Sequence, residues 1–111
     1  MNKEIAIIGV NGKMGKWFAN YFHKMGFKVK GFDTNNEIKE KFIIKANSLV
    51  GAILQMDYVL LCTPTKNTPE IIRLIAKEMK RGSYLIEISS QKSKTALTLL
   101  KTPSKVNPIC I

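Results

Sequence analysis

Hydrophobic positions along the chain recur with two periods. Residues 4–8 form a short apolar run, Glu-Ile-Ala-Ile-Ile, rich in β-branched side chains, which predicts a parallel strand buried on both faces. Next, Met14, Trp17, Phe18, Tyr21, Phe22 and Met25 fall at i, i+3, i+4, i+7, i+8 and i+11, the spacing of one helical face. Lys13, Lys16, Asn20 and Lys24 fall mainly on the other side, and Gly26 stands where a helix ends. A second strand runs from Lys28 to Phe32 and closes on Asp33.

The remaining pattern is shorter in period. Residues 36–42 predict a brief helix with Asn35 or Asn36 as cap and Ile38 and Phe42 inward, then a strand at Ile43-Ile44. A helix follows over 48–56, with Leu49, Ile53 and Met56 on its face and Gly51 weakening it. The next strand is 57–62, stopped by Thr63-Pro64-Thr65. Thr68, Pro69 and Glu70 open another helix as cap, first position and first-turn acid. Ile71, Ile72, Ile75 and Met79 face inward, and Gly82 ends it after Lys77, Lys80 and Arg81. A strand over 84–88, a polar loop, a helix over 95–100 broken by Pro103, and a strand over 106–111 complete the chain.

Strands alternating with helices specify an α/β fold. The expected architecture is a Rossmann-type doubly wound parallel sheet in three αβα layers, with strand order 3-2-1-4-5-6. The chain has 111 residues, which suits one compact domain. It has no linker, repeat or low-complexity segment. Its apolar runs fall well short of the roughly 18 residues of a membrane span, and the first residues lack the apolar core of a signal peptide. A cytoplasmic protein without a membrane partner is expected.

Charge and cysteines alter the picture little. The net charge of +10 raises the question of nucleic acid, but the lysines are scattered and no nucleic-acid motif accompanies them. A solvated lysine surface is the expected reading, with a positive field that also draws anionic ligands. Cys62 and Cys110 sit in apolar, strand-like surroundings and read as small buried hydrophobes, and His23 lies on the polar side of its helix. With so few ligating side chains, no metal site is expected.

The chemistry concentrates between residues 4 and 33. Gly9, Gly12 and Gly15 follow the first strand as G-x-x-G-x-x-G and open the helix, and Asp33 follows Gly15 by eighteen positions. Strand, glycine turn, helix, strand and terminal carboxylate form the layout of a dinucleotide-binding βαβ unit. Gly9 supplies the tight turn, Gly12 a backbone open to a pyrophosphate, and Gly15 close helix–strand packing. The helix N-terminus offers unpaired N–H groups to the phosphates. Asn11, Lys13 and Met14 belong to the same turn. Asp33 can accept hydrogen bonds from a ribose and would repel a 2′-phosphate, which favours NAD. On the other side stand a βαβ unit that binds nothing and an Asp33 that is merely a solvated turn residue.

The sequence also resembles a family. The segment 8–19, with its G-x-x-G-x-M-G turn followed by Trp17 and Phe18, is similar to the opening of prephenate dehydrogenases. Residues 57–64 resemble that family's fourth strand and its proline loop, 85–92 its D-x-x-S-x-K segment, and 107–111 the strand leading to a histidine-proline pair. The resemblance implies oxidative decarboxylation of prephenate or arogenate, an anionic substrate, with NAD taking the hydride. It implies that Thr63 and Pro64 flank the cofactor, that Ser90 bonds the substrate hydroxyl or the catalytic histidine, and that Lys92 lies at the reaction centre. Read by itself, the loop holding Ser90 and Lys92 is a solvated helix entry.

The departures are equally legible. The family's histidine would come immediately after Ile111, and its helical dimerisation domain would follow. Residues 1–111 are therefore expected to be an NAD-binding domain truncated before both, incompetent in catalysis alone, with a homo-oligomer or the missing C-terminal domain as partner. The loop has Glu87 where the family often has Asp. The alternatives are a stand-alone NAD-binding or sensing module and another β-hydroxyacid-dehydrogenase-like reductase.

Overall fold

In the computed structural model, which describes residues 3–35, 37–63, 68–88, 103 and 105–110, six parallel strands form one sheet in the order β3-β2-β1-β4-β5-β6. The strands are β1 (Glu4–Ile8), β2 (Lys28–Phe32), β3 (Ile44–Lys45), β4 (Tyr58–Leu61), β5 (Tyr84–Glu87) and β6 (Asn107–Cys110). The helices are α1 (Lys13–Lys24), α2 (Leu49–Ile53) and α3 (Thr68–Ala76). The helix expected over 95–100 lies outside the described residues.

β1 is the centre. It pairs in register with β2, Ile5 beside Val29, and with β4, Ile7 beside Leu60. Its Ile5, Ala6, Ile7 and Ile8 are all buried, because in a parallel sheet both faces are covered. Two cores result. One face carries Ala6, Ile8, Val59, Leu61 and Leu85 against Ile53 of α2 and Ile72 and Ile75 of α3. The other carries Ile5, Ile7, Val29 and Leu60 against Ala19, with Phe18 and Phe22 of α1 half-buried beside them.

α1 begins and ends as the sequence predicts, with Gly26 in the left-handed region after the C-cap Met25. Its inward face differs from expectation. Gly15 and Ala19 are the buried residues, whereas Met14, Trp17, Tyr21 and Met25 are exposed. The cause is close approach. A Cβ on Gly15 would stand 2.2 Å from the carbonyl oxygen of Gly9 and 2.8 Å from Cα of Val10. The helix therefore turns its smallest residues to the sheet and rotates four of the six large apolar side chains of its stripe away.

Three other segments depart from expectation. Residues 37–42 are not helical. Instead Asn35 N–H donates to Asp33 Oδ1 and Glu37 N–H donates to Asn35 Oδ1, two side-chain turns that compete with helix formation. Ile38 and Phe42 still pack inward. α2 is capped by Ser48, whose Oγ accepts from Gly51 N–H, but stops early, with Gln55 at φ 60. α3 gives way after Ala76 to i→i+3 bonds from Glu78 and Met79 to Ile75 and Ala76, and Met79 remains buried.

At the opposite edge of the sheet from the strand ends, Lys80 Nζ lies 2.6 Å from Asp57 Oδ1. This hydrogen bond, assisted by Glu4 N–H and opposed by burial, holds the Asp57 carboxyl below the usual carboxylate range. A depressed carboxylate contributes stability above its unfolded pKa of about 3.9 and loses it as pH falls through the folded value. Lys80→Met should flatten the acid limb of a melting-temperature profile below about pH 4. The effect is expected to be small, because both side chains are more than a third exposed. Gly15→Ala should lower the urea-unfolding free energy by about 1–3 kcal/mol through forced displacement of the turn.

Candidate functional site

The carboxyl ends of β1, β2 and β4 open into a cavity of about 810 Å³. Its rim includes Gly9, Asn11, Gly12, Lys13, Met14, Asp33 and Thr63, and its apolar wall includes Phe32, Leu49, Cys62 and Ile71. Such crevices outside the strand ends are where open α/β sheets bind ligands.

The glycine turn is locked from within. Gly9 and Val10 N–H both donate to the Phe32 carbonyl, at 2.8 and 3.3 Å, and Gly12 N–H donates to the Gly9 carbonyl at 3.1 Å. Gly9 has φ 84, and a Cβ there would stand 2.6 Å from the Cys62 carbonyl oxygen. Gly12 differs: a Cβ there would meet nothing closer than the Gly9 carbonyl oxygen at 3.5 Å. The space beside Gly12 is thus not filled by the protein itself.

Asn11 N–H is also engaged, donating to Asp33 Oδ2 at 2.9 Å. The turn's own amides are therefore taken, a departure from a loop that cradles phosphate with every N–H. The donors left to an anion are those of the first turn of α1. Lys13, Met14 and Gly15 have no carbonyl one turn back to bond. The N-cap Gly12 has no side chain to cap them, and no acidic residue lies in that turn. Gly15 is buried behind the turn and packs rather than lines the cavity. Lys13 and Met14 stand at its mouth, both exposed.

Asp33 is fixed by two backbone donors, Asn11 N–H on Oδ2 and Asn35 N–H on Oδ1 at 3.1 Å. A carboxylate oxygen has a second lone pair, so both oxygens retain acceptor capacity at the rim. Asn11 adds a link that the sequence did not reveal. Its Nδ2 donates to the carbonyls of Asn35 at 2.9 Å and Glu37 at 3.1 Å, joining the glycine turn to the loop after β2. Its partners lie 24 and 26 residues away, so spacing gave no sign of it.

Thr63 is half-buried, with Oγ1 2.9 Å from Thr68 Oγ1, which ties the end of β4 to the start of α3. Pro64, Ser90 and Lys92 lie outside the described residues. Burial pushes the Cys62 thiol up to about 12, so it is a neutral wall and no nucleophile. The apolar residues Phe32, Leu49 and Ile71 line the cavity and are the positions that sequence reasoning did not place there. They read only as core-facing, although the starts of α2 and α3 lie at the same sheet edge as the glycine turn. Among the described residues no three His, Cys, Asp or Glu side chains come together, and no described helix is long and apolar enough to cross a membrane.

An uncapped helix start, an open space beside Gly12 and a fixed carboxylate at the end of β2 fit the pyrophosphate and ribose of a dinucleotide. The site is that of a nucleotide-binding domain of a dehydrogenase. Residues 4–107 match the family of the NAD-binding domain of 6-phosphogluconate dehydrogenase, and the chain belongs to it. Its cofactor is NAD. A probable arogenate/prephenate dehydrogenase of Methanocaldococcus jannaschii is 31% identical over 82% of this chain, which spans 22% of that relative's length. A prephenate dehydrogenase from A. aeolicus, solved with hydroxyphenyl propionate and NAD+, superimposes with a TM-score of 0.75 at 23% identity, over 88% of this chain and 37% of that one. A semialdehyde dehydrogenase NAD-binding protein from Cupriavidus necator, solved with calcium and NAD, gives a TM-score of 0.78 at 21% identity, over 99% of this chain and 41% of that one.

Asn11→Ala should weaken NAD and ADP-ribose binding alike by about tenfold, the equivalent of one to two hydrogen bonds. Isothermal titration with both ligands checks this, with circular dichroism as the control for folding.

Proposed function

We propose that this chain is the cofactor-binding part of a prephenate or arogenate dehydrogenase, acting in tyrosine biosynthesis in the cytoplasm. The observation that carries the reading is the 31% identity to the probable arogenate/prephenate dehydrogenase, together with the G-x-x-G-x-M-G turn at residues 9–15. NAD, when bound, accepts the hydride released as the substrate loses carbon dioxide and its ring becomes aromatic.

The chain's own residues would bind and orient. The first amides of α1, at Lys13 and Met14, hold the pyrophosphate, with Gly12 admitting it close to the backbone and Lys13 adding charge. Gly9 and Gly15 set the turn and the helix in place. Asp33 accepts from the adenosine ribose hydroxyls, and Asn11 keeps it there. Phe32, Leu49 and Ile71 offer the adenine an apolar wall. Thr63 and Pro64 flank the cofactor at the β4 end. By the family resemblance, Ser90 would bond the substrate hydroxyl or the catalytic histidine, and Lys92 would lie at the reaction centre. The histidine that polarises the hydroxyl, and a helical domain that dimerises, would lie in the part of the relatives' length that this chain does not span.

Asp33→Ala should weaken NAD binding by one to two orders of magnitude, about 1.4–2.7 kcal/mol, and narrow the gap to NADP. Titrating both cofactors against both proteins reads this, and unchanged affinities would count against the assigned ribose contact. The reaction itself is tested on the full-length gene product with prephenate and arogenate. NADH formed from neither substrate would overturn the dehydrogenase assignment while leaving the cofactor site standing.

A further inference from the structure

Asn11 and Gly12 are the only Asn-Gly pair in the chain, and such a pair carries a reaction of its own. A backbone nitrogen can attack the side-chain amide carbon of the asparagine before it, closing a five-membered ring and expelling ammonia. A side chain on the attacking residue obstructs that approach, and glycine has none. The space beside Gly12 is open, since a Cβ there would meet only the Gly9 carbonyl oxygen, at 3.5 Å. Gly12 is also exposed, so water reaches it.

Hydrogen bonds oppose the reaction in the folded chain. Gly12 N–H donates to the Gly9 carbonyl at 3.1 Å, which engages the nitrogen that must lose its proton. Asn11 Nδ2, the leaving nitrogen, donates to the carbonyls of Asn35 at 2.9 Å and Glu37 at 3.1 Å. These two bonds hold the carboxamide against the loop after β2. Asp33 ties that loop down, accepting Asn11 N–H on Oδ2 and Asn35 N–H on Oδ1. Both Asn11 Nδ2 bonds are solvent-exposed, and bonds of that kind open without unfolding the core.

The product is incompatible with the site. Exchanging Nδ2 for oxygen turns a donor to two carbonyls into a carboxylate facing the same two carbonyls. It also adds a second negative charge to the unit that holds Asp33. The alternative product, isoaspartate, inserts a methylene into the main chain of the glycine turn.

We propose that Asn11-Gly12 is a site of self-modification, in which the Gly12 nitrogen displaces ammonia from Asn11 and the aspartate or isoaspartate that results releases NAD. The loop after β2 sets the rate. Gly12 N gives its proton to hydroxide and bonds to Asn11 Cγ. The Cγ–Nδ2 bond breaks, and Nδ2 leaves as ammonia with a proton from solvent. Water then opens the succinimide at either carbonyl. The net change consumes one water and releases one ammonia, with no oxidant or reductant. The loss of NAD rests on the reading of Asp33 as the ribose ligand, whereas the rate does not.

The 111-residue chain is aged at mildly alkaline pH with NAD, without NAD, and in urea. Conversion at Asn11 is followed by peptide mass spectrometry and an isoaspartate methyltransferase assay. Ageing should be fastest in urea, slower by about tenfold or more in the folded chain, the equivalent of one to two hydrogen bonds, and slower again with NAD. Asp33→Ala, checked for folding by circular dichroism, should age faster than wild type because its loop is untied. Asn11→Asp should bind NAD more weakly than Asn11→Ala, because repulsion adds to the lost bonds. The proposal is overturned by no reaction at Asn11 in urea, by a folded chain that ages as fast as the chain in urea, or by wild-type ageing in Asp33→Ala. Wild-type NAD affinity in the aged chain or in Asn11→Asp overturns it as well. Faster ageing of Asp33→Ala with undiminished NAD affinity would instead sink the ribose contact and support the loop's control of the rate.

Discussion

The contact on which the structure turns is between two backbones. The first turn of α1 rests on the strand exit so closely that the carbonyl oxygen of Gly9 occupies the place where a Cβ of Gly15 would be. No other side chain tolerates that approach. It aims the start of α1 across the ends of β1 and β4, so that its unpaired N–H groups meet the crevice. The same contact sets the rotation of α1 about its axis. What it buries is Gly15 and Ala19, and what it leaves outside is Trp17 and Tyr21.

A second constraint organises the end of the cavity beside β2. Asp33 is held by the amides of Asn11 and Asn35, and Asn11 in turn holds the carbonyls of Asn35 and Glu37. Turn, carboxylate and loop are thus one hydrogen-bonded unit. The unit orients an acceptor without relying on a flexible side chain, which is how a site limits the ordering cost of binding. It also works against a helix start here: the N–H and carbonyl of Glu37 are committed to Asn35 and Asn11.

Much of the site was legible in the chain itself. The glycines at 9, 12 and 15, the helix after them and Asp33 at the end of β2 all stand where their spacing puts them, because a βαβ unit is a local arrangement of consecutive elements. The apolar wall of Phe32, Leu49 and Ile71 was not legible as a site. These residues share a cavity only because the strand order brings three separate loops to one edge.

The sequence by itself determined the strands, the starts of α1, α2 and α3, the parallel order of the sheet and the chemical type of the cofactor, since these follow from short-range periodicity, glycine placement and one carboxylate. Tertiary structure decided which side of α1 is buried, which amides remain for an anion, and what Asn11 bonds. Periodicity locates an apolar stripe but not the closest approach within it. That approach depends on the distance between two main chains, which only the packed fold sets.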